Sequence, residues 1–542
     1  MTVARRLGAL VAGVALTGAC SASPTVPAAR APATGVEPAA TVSAPSGSDA
    51  EPAATAAATA PSDVAPDQVV VAAGRPGRPL DRRLLGTNVP AWIGPDRLAD
   101  PAFREATVAS GTTLLRMPGG SWSNAYDWAG CEIGDDERCF WTWAARPSDF
   151  ASFLRATGIE GSWTVSFNDT AQAAAAAVAF FNGEVGDDTA IGVDRDGVDW
   201  GTVGRWAELR AAGGNPDPVR IELWEVGNEI YGATQAAGGG CAPFGWEGVW
   251  TCDGTEYVEG DDDHDGYLAF RDAMLSVDPA ITVGAVGVGD PSGWNRFGEK
   301  VIEGAGDDLD LYVVHEYGFD RSPSAERAIR RPATLWPDLL ADVRAALGDD
   351  VPIAVTEYNL VSFEAGDTEA TMTEAMSALF VADSIGRFAQ AGVAIANQWN
   401  LANGVTSSGT DYGMIDLDDG TTRPQYDALV AWAGAGTELV AAASGDDDLA
   451  VYPTRDGDAW SIVVVNVGAD DVERTIDVDG AELGTLRRTG VRAEALEDTS
   501  LVELEPVELS ATPRADGGST LALEVPAWSI TVLTSTGGGS GA

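Results

Sequence analysis

Residues 221–229 read IELWEVGNE and residues 352–359 read PIAVTEYN. Each is a short, β-branched, apolar run that closes on a carboxylate, Glu229 in the first and Glu357 in the second. Working outward, six more runs of the same kind appear: LLGTNV from Leu84, TLLRM from Thr113, GSWTVSF from Gly161, ITVGAVG from Ile281, DLYVVHEY from Asp310 and VAIANQW from Val393. Longer segments with helical spacing separate them, as in RPSDFASFLRATG, where Ser148 or Asp149 can cap a helix and Gly158 can stop it. Eight strands in strict alternation with helices predict a closed parallel (β/α)8 barrel over residues 67–435. An open doubly wound sheet is the rival, and it is weakened because no strand leads into a G-x-G-x-x-G phosphate turn.

After residue 436 the pattern changes to alternating strands between Asp and Gly turns, as in AWSIVVVNVGADD and TLALEVPAWSITVLTS. That alternation predicts an antiparallel β-sandwich over 436–542, ending in a flexible GGGSGA tail, and VVVAA from Val69 reads as one more strand for it. At the other end, Arg5 and Arg6 precede an apolar run, Leu7 to Leu16, too short to span a membrane. Residues 1–20 therefore read as a secretory signal, either a plain one or a lipoprotein signal that tethers the protein through lipidated Cys20, although Leu16 stands one place further from Cys20 than the usual box has it. Residues 21–66 are Ala, Pro, Ser and Thr with almost no large apolar side chain, the composition of a disordered linker. An exported protein, extracellular or anchored at the cell surface, is the expectation.

Composition narrows the chemistry. The 542 residues carry a formal charge of -49, which excludes a general nucleic-acid surface, because binding phosphates needs clustered Lys and Arg. Only two histidines, His264 and His315, and one lysine, Lys300, are present, so His-rich metal sites and Ser/His/Asp arrangements have few ways to form. Carboxylates are left as the obvious reactive groups. The cysteines beyond Cys20 fall into two close pairs, Cys131 with Cys139 and Cys241 with Cys252, which suits disulfides in an oxidising compartment better than zinc.

In such a barrel the site lies at the C-terminal ends of the strands. The fourth and seventh runs bring Glu229 and Glu357 to face one another there, as required when one carboxylate attacks a sugar's anomeric carbon and the other, protonated, donates to the leaving oxygen. Asn228 stands beside the acid, where it can hydrogen-bond a sugar hydroxyl. Arg116, closing the second run, with His315 and Tyr317, closing the sixth, are placed to hold Glu357 ionised. A raised pKa for Glu229 is expected from the charge of Glu357. Glu225 and Glu316 read as decoys, since strand neighbours point to opposite faces.

The segments LLRMPGGSWSNAYDW, LWEVGNEIYG and VTEYN resemble those of clan A retaining glycoside hydrolases, most of all the family 51 α-L-arabinofuranosidases, in order across most of the barrel. The resemblance implies Glu229 as acid/base, Glu357 as nucleophile, and Arg116, Asn228, Tyr317 and Gln398 as sugar-site residues. Two places depart from that family: after Pro-Gly-Gly this chain has Ser121 and Trp122, with Asn124 further on, and after the first strand it offers Asn88 and Trp92 where the family has a Glu.

Trp92, Trp122, Trp128, Trp163 and Trp399 fall at or just after strand ends, where an indole can stack on a sugar, with Trp122 and Trp399 foremost. Asp261, Asp263, Asp265, Gly266 and Asp272 match the spacing of a calcium loop, but acidic residues before a helix are stabilising without a metal, and no metal or other cofactor is assigned. The expected activity is exo-acting removal of α-L-arabinofuranosyl groups from a polysaccharide. The alternatives are an endo-acting glucanase, xylanase or xyloglucanase of the same clan, and a surface carbohydrate-binding lipoprotein without turnover.

Overall fold

The computed structural model describes residues 64–139, 141–233 and 246–536. Cys20, Cys241 and nearly all of the leader and linker lie outside these residues. Two short strands, β1 (Gln68–Val71) and β2 (Arg78–Pro79), precede a closed parallel barrel of eight: β3 (Gly86–Asn88), β4 (Leu114–Met117), β5 (Glu160–Val165), β6 (Leu223–Val226), β7 (Thr282–Val286), β8 (Leu311–Phe319), β9 (Ile353–Val361) and β10 (Ile395–Gln398). All eight predicted runs become barrel strands, and β10 closes on β3.

Side-chain alternation along the strands builds two cores. Inward residues Leu114, Leu223, Leu311, Val313, Ala354 and Ile395 plug the barrel's lower end. Their outward neighbours, among them Leu115, Trp224, Tyr312, Val355 and Ala396, join the large core beneath the helices. One period further along the inward face the apolar plug gives way to polar groups: Arg116 after Leu114, Glu225 after Leu223 and His315 after Val313. The site is thus raised on an apolar floor.

Of the helix signals quoted, the stop at Gly158 holds and the cap moves two or three positions back. The helix Pro147–Thr157 has Arg146 as its N-cap residue and Pro147 at its first position; Asp149 serves it by accepting from the Arg146 N–H at 2.9 Å, and Gly158 ends it in the left-handed region.

The second unit has two sheets around its own core of Val69, Val71, Trp460, Ile462, Val464, Ile476, Leu521 and Leu533, among others. It begins before the barrel. β1 lies between Ala442–Ser444 and Val472–Val478, and β2 pairs with Glu438–Leu439. The sandwich expected to be antiparallel contains one parallel pair, β1 with Val472–Val478, because β1 enters from the far end of the chain with no hairpin to reverse it. One strand, Ala459–Asn466, belongs to both cores: Ile462 and Val464 face the sandwich interior, while Val463 and Val465 face the barrel helices.

That junction is tight at Tyr452. Its buried hydroxyl donates to Asp383, and its ring lies so close to the helix Ala375–Ala391 that a β-carbon at Gly386 would sit 2.2 Å from the ring. Alanine normally stabilises a helix relative to glycine by up to about 1 kcal/mol. Here the steric term wins: Gly386→Ala is expected to lower the unfolding free energy by roughly 1–3 kcal/mol, measured by urea denaturation, and a gain in stability would refute the close packing.

Candidate active site

The polar cluster at the top of the barrel is organised by one cation. Arg116 is 0% exposed, and its guanidinium donates to Glu225 Oε2 at 2.7 Å, Glu357 Oε1 at 2.8 Å, Asn88 Oδ1 at 3.0 Å and Asn228 Oδ1 at 3.0 Å. A buried charge is tolerable only when it is paired and hydrogen-bonded, and these four contacts give each guanidinium nitrogen an acceptor and the charge two carboxylates. The Pro-Gly-Gly run after β4 follows from the same crowding. A β-carbon at Gly119 would meet Asn88 Oδ1 at 2.9 Å, and one at Gly120 would meet the Trp399 ring at 2.4 Å, so only bare backbone passes.

Glu225 is where strand parity was misapplied. It faces the barrel axis, two residues beyond Leu223, and grips Arg116, so it supports the site instead of facing away. Glu229 reaches the mouth after Gly227 (φ 80°) turns the chain, and is itself left-handed (φ 41°).

Glu357 arrives by a different device. The register between β8 and β9 slips at Val314/His315, and that between β9 and β10 slips at the same level. Val355 and Tyr358 both face outward into the helix-side core, an odd spacing that leaves Thr356 and Glu357 together on the inner side. This bulge re-aims the Glu357 carboxylate. Glu357 Oε2 then accepts from Tyr317 Oη at 2.8 Å.

His315 links the two carboxylates. Its Nδ1 lies 3.1 Å from Glu229 Oε1 and 3.7 Å from Glu357 Oε2, and its Nε2 lies 3.0 Å from Thr356 Oγ1. Burial lowers its pKa to about 4, so at neutral pH it is an uncharged hydrogen-bond partner. The facing atoms of Glu229, His315 and Glu357 lie within 4.8 Å of one another.

Burial raises the pKa of Glu229, against the opposing pull of hydrogen bonds from Trp246 and Tyr231 and of the Arg116 charge. Desolvation, and not the charge of Glu357 as expected from sequence, is the leading cause. The site thus sets a carboxyl whose pKa burial raises beside one held by a guanidinium and a phenol, a pair suited to proton donation and nucleophilic attack at one centre. Glu229, His315 and Glu357 are also a donor set of the kind that binds divalent metals, but protein groups already serve their carboxylates: Arg116 donates to Glu357 Oε1, Tyr317 to Glu357 Oε2 and Trp246 to Glu229 Oε2.

Other expected residues separate. Asn228 sits between Arg116 and a carboxylate that sequence reasoning missed, Glu247. Gln398 does not reach the mouth: it is on the outward face of β10, 0% exposed, donating to Gln425 at 2.8 Å and accepting from Thr87 at 3.2 Å. Trp128 and Trp163 are core residues. Glu316 is likewise off the cluster, its pKa raised by burial to about 7.

Trp399 and Trp92 have ring centroids 6.0 Å apart, Trp92 and Trp122 5.0 Å, and Trp122 and Trp143 5.6 Å. Trp122 stacks on Trp141 at 4.0 Å and 9°, which covers one of its faces. This ladder runs outward from the carboxylates and ends at Trp143, 56% exposed. Trp141 and Trp143 follow the loop closed by the Cys131–Cys139 disulfide, and Cys252 is also disulfide-bonded. In the acidic loop, Asp261 accepts from the Asp263 N–H at 2.8 Å, and Asp265 accepts from the Ala171 N–H at 2.9 Å, so protein donors serve both carboxylates.

No protein-family profile and no curated protein matches this chain. Solved structures do. An α-L-arabinofuranosidase from Thermotoga maritima, in complex with arabinose, superposes with a TM-score of 0.65 at 20% identity over 86% of this chain and 99% of that one. A thermostable GH51 α-L-arabinofuranosidase from Thermotoga petrophila gives 0.63 at 20% identity, again over 86% and 99%. A family 44 endoglucanase from Clostridium thermocellum gives 0.53 at 14% identity over the same shares. At these identities the shared property is the fold.

Removing Arg116 would leave Glu225 and Glu357 buried without their counter-charge. Arg116→Met is expected to cost about 3–5 kcal/mol of stability, read from chemical denaturation, and a variant as stable as wild type would show that the carboxylates do not depend on the guanidinium.

Proposed function

We propose that this protein is a retaining glycoside hydrolase that releases α-L-arabinofuranosyl groups from arabinose-containing polysaccharide. The observation that carries the chemistry is the approach of Glu229 and Glu357 to within 4.8 Å. A retaining pair stands about 5–5.5 Å apart, whereas an inverting pair is separated by roughly 6.5–9.5 Å to admit a water.

In the first step Glu357, anchored by Arg116 and Tyr317, attacks the anomeric carbon and forms an ester. The bond from that carbon to the leaving oxygen breaks, and the oxygen takes the Glu229 proton. The ester removes the negative charge of Glu357, and Glu229, now ionised, draws a proton from water as the hydroxyl attacks the same carbon. Sugar and free Glu357 result, and Glu229 is protonated again. Asn228 and the Trp399 indole flank the sugar, and no cofactor takes part. The leader and the disulfide support action outside the cytoplasm, with Cys20 as a tether if lipidated.

The sugar assignment rests on the sequence resemblance together with the activity of the arabinofuranosidases that share the fold. A second reading, endo action on a β-glycan, is favoured by the tryptophan ladder, which offers stacking surface beyond a single sugar.

Glu357→Ala is expected to lower turnover of nitrophenyl α-L-arabinofuranoside by roughly four orders of magnitude, the scale of losing one member of a catalytic unit; unchanged turnover would rule out this nucleophile. Trp143→Ala separates the two substrates. If the ladder carries a glycan chain, KM for the polymer rises up to roughly tenfold, as expected for the loss of about 0.5–1.5 kcal/mol of stacking, while KM for the aryl glycoside stays put. Equal behaviour on both would remove the endo reading.

A further inference from the structure

Glu247 has no part in the steps above, yet it is 1% exposed inside the same cluster. Its Oε1 accepts from Asn228 Nδ2 at 2.8 Å, and its Oε2 accepts from Asn124 Nδ2 at 2.8 Å. Asn124 is bound in turn to the Asn228 backbone, donating to its carbonyl at 2.8 Å and accepting from its N–H at 3.3 Å. The Glu247 N–H donates to Gly232 O at 3.0 Å, which ties the residue to the turn that carries Glu229.

The two ends of an Asn amide have almost the same shape, so partners decide its flip. Arg116 can only donate, so the Asn228 oxygen faces it. The Glu247 carboxyl accepts, so the nitrogen faces the other way. Without Glu247 one end of the amide loses its anchor.

We propose that Glu247 is a positioning residue for this reaction: through Asn124 and Asn228 its carboxyl locks the amide beside the reacting carbon. This inference rests on the glycosidase reading. Among the described residues no Lys, Arg or His lies within ion-pair distance of Glu247, and Arg116 reaches it only through Asn228. The groups facing it are Glu229, the amides of Asn124 and Asn228, and Ser121, which also hydrogen-bonds it. Burial first, and the charge of Glu229 second, push its carboxyl up to about 8, so it holds a proton at neutral pH.

The test is kcat and KM of an aryl glycoside against pH for wild type and Glu247→Gln, with infrared spectra of both folded proteins. The hydroxyl oxygen of a protonated carboxyl can still accept, whereas the amide nitrogen of a glutamine only donates, so one of the two Asn amides loses its acceptor. Glu247→Gln is therefore expected to lower kcat by roughly 10- to 100-fold, the cost of a misplaced reacting group, with little change in KM. A loss that falls on KM instead of kcat would reduce Glu247 to a structural role, and wild-type kcat would remove the positioning role. The infrared arm needs no turnover: wild type should show a protonated-carboxyl band at neutral pH that titrates near 8 and is missing from Glu247→Gln. A wild type without that band overturns the proposal. Wild type inert on every glycoside, with the band present, overturns the glycosidase reading and leaves the proton on Glu247 standing.

Discussion

A guanidinium sealed from water inside a barrel needs an acceptor for its donors, and that requirement shapes everything above the apolar plug. Arg116 draws Glu225, Glu357, Asn88 and Asn228 into contact from three remote segments of the chain. Because β3, β4, β6 and β9 all contribute, the site is only as exact as the barrel is closed. Desolvation makes the arrangement all-or-none: taking away either sign leaves the other buried and uncompensated.

Around that cation the carboxylates outnumber the positive charge. Glu225 and Glu357 share Arg116, while Glu229 and Glu247 are buried without a cation in contact, and their pKa values rise. Similar side chains acquire different duties from their surroundings alone. A neutral His315 between Glu229 and Glu357 adds orientation without adding charge, as befits a site where one more proton would undo the division of roles.

The sandwich is bound to the barrel through a strand that serves two cores and through the Tyr452 ring pressed against Gly386. Its first strands precede the barrel in the chain, so the β unit is closed only after the barrel has been completed. Structures sharing a fifth or less of their residues superpose on most of this chain. Strand periodicity and the alternation of strand with helix can persist while individual core residues change, which is why the architecture outlasts identity.

Much of this was legible beforehand. Runs of β-branched residues marked all eight barrel strands, and the polar residues closing them marked Arg116, Asn228, Glu229, His315, Tyr317 and Glu357, because local periodicity reports which positions an extended chain can bury. The same alternation misread Glu225, whose face depends on the inward set of its strand, and the family resemblance put at the sugar a Gln398 that β10 turns outward. Glu247 gave no signal, since it lies in a loop and meets Asn124 and Asn228 only through the closed fold. The bulge at Thr356 and Glu357 was also invisible: it is a mismatch of register between three strands, and no single strand contains it. Strand identity is a short-range property of the chain and could be read from it. Which carboxylates share a cation, which keep a proton and which way each one points follow from distances and burial between remote segments, and only the closed barrel decides those.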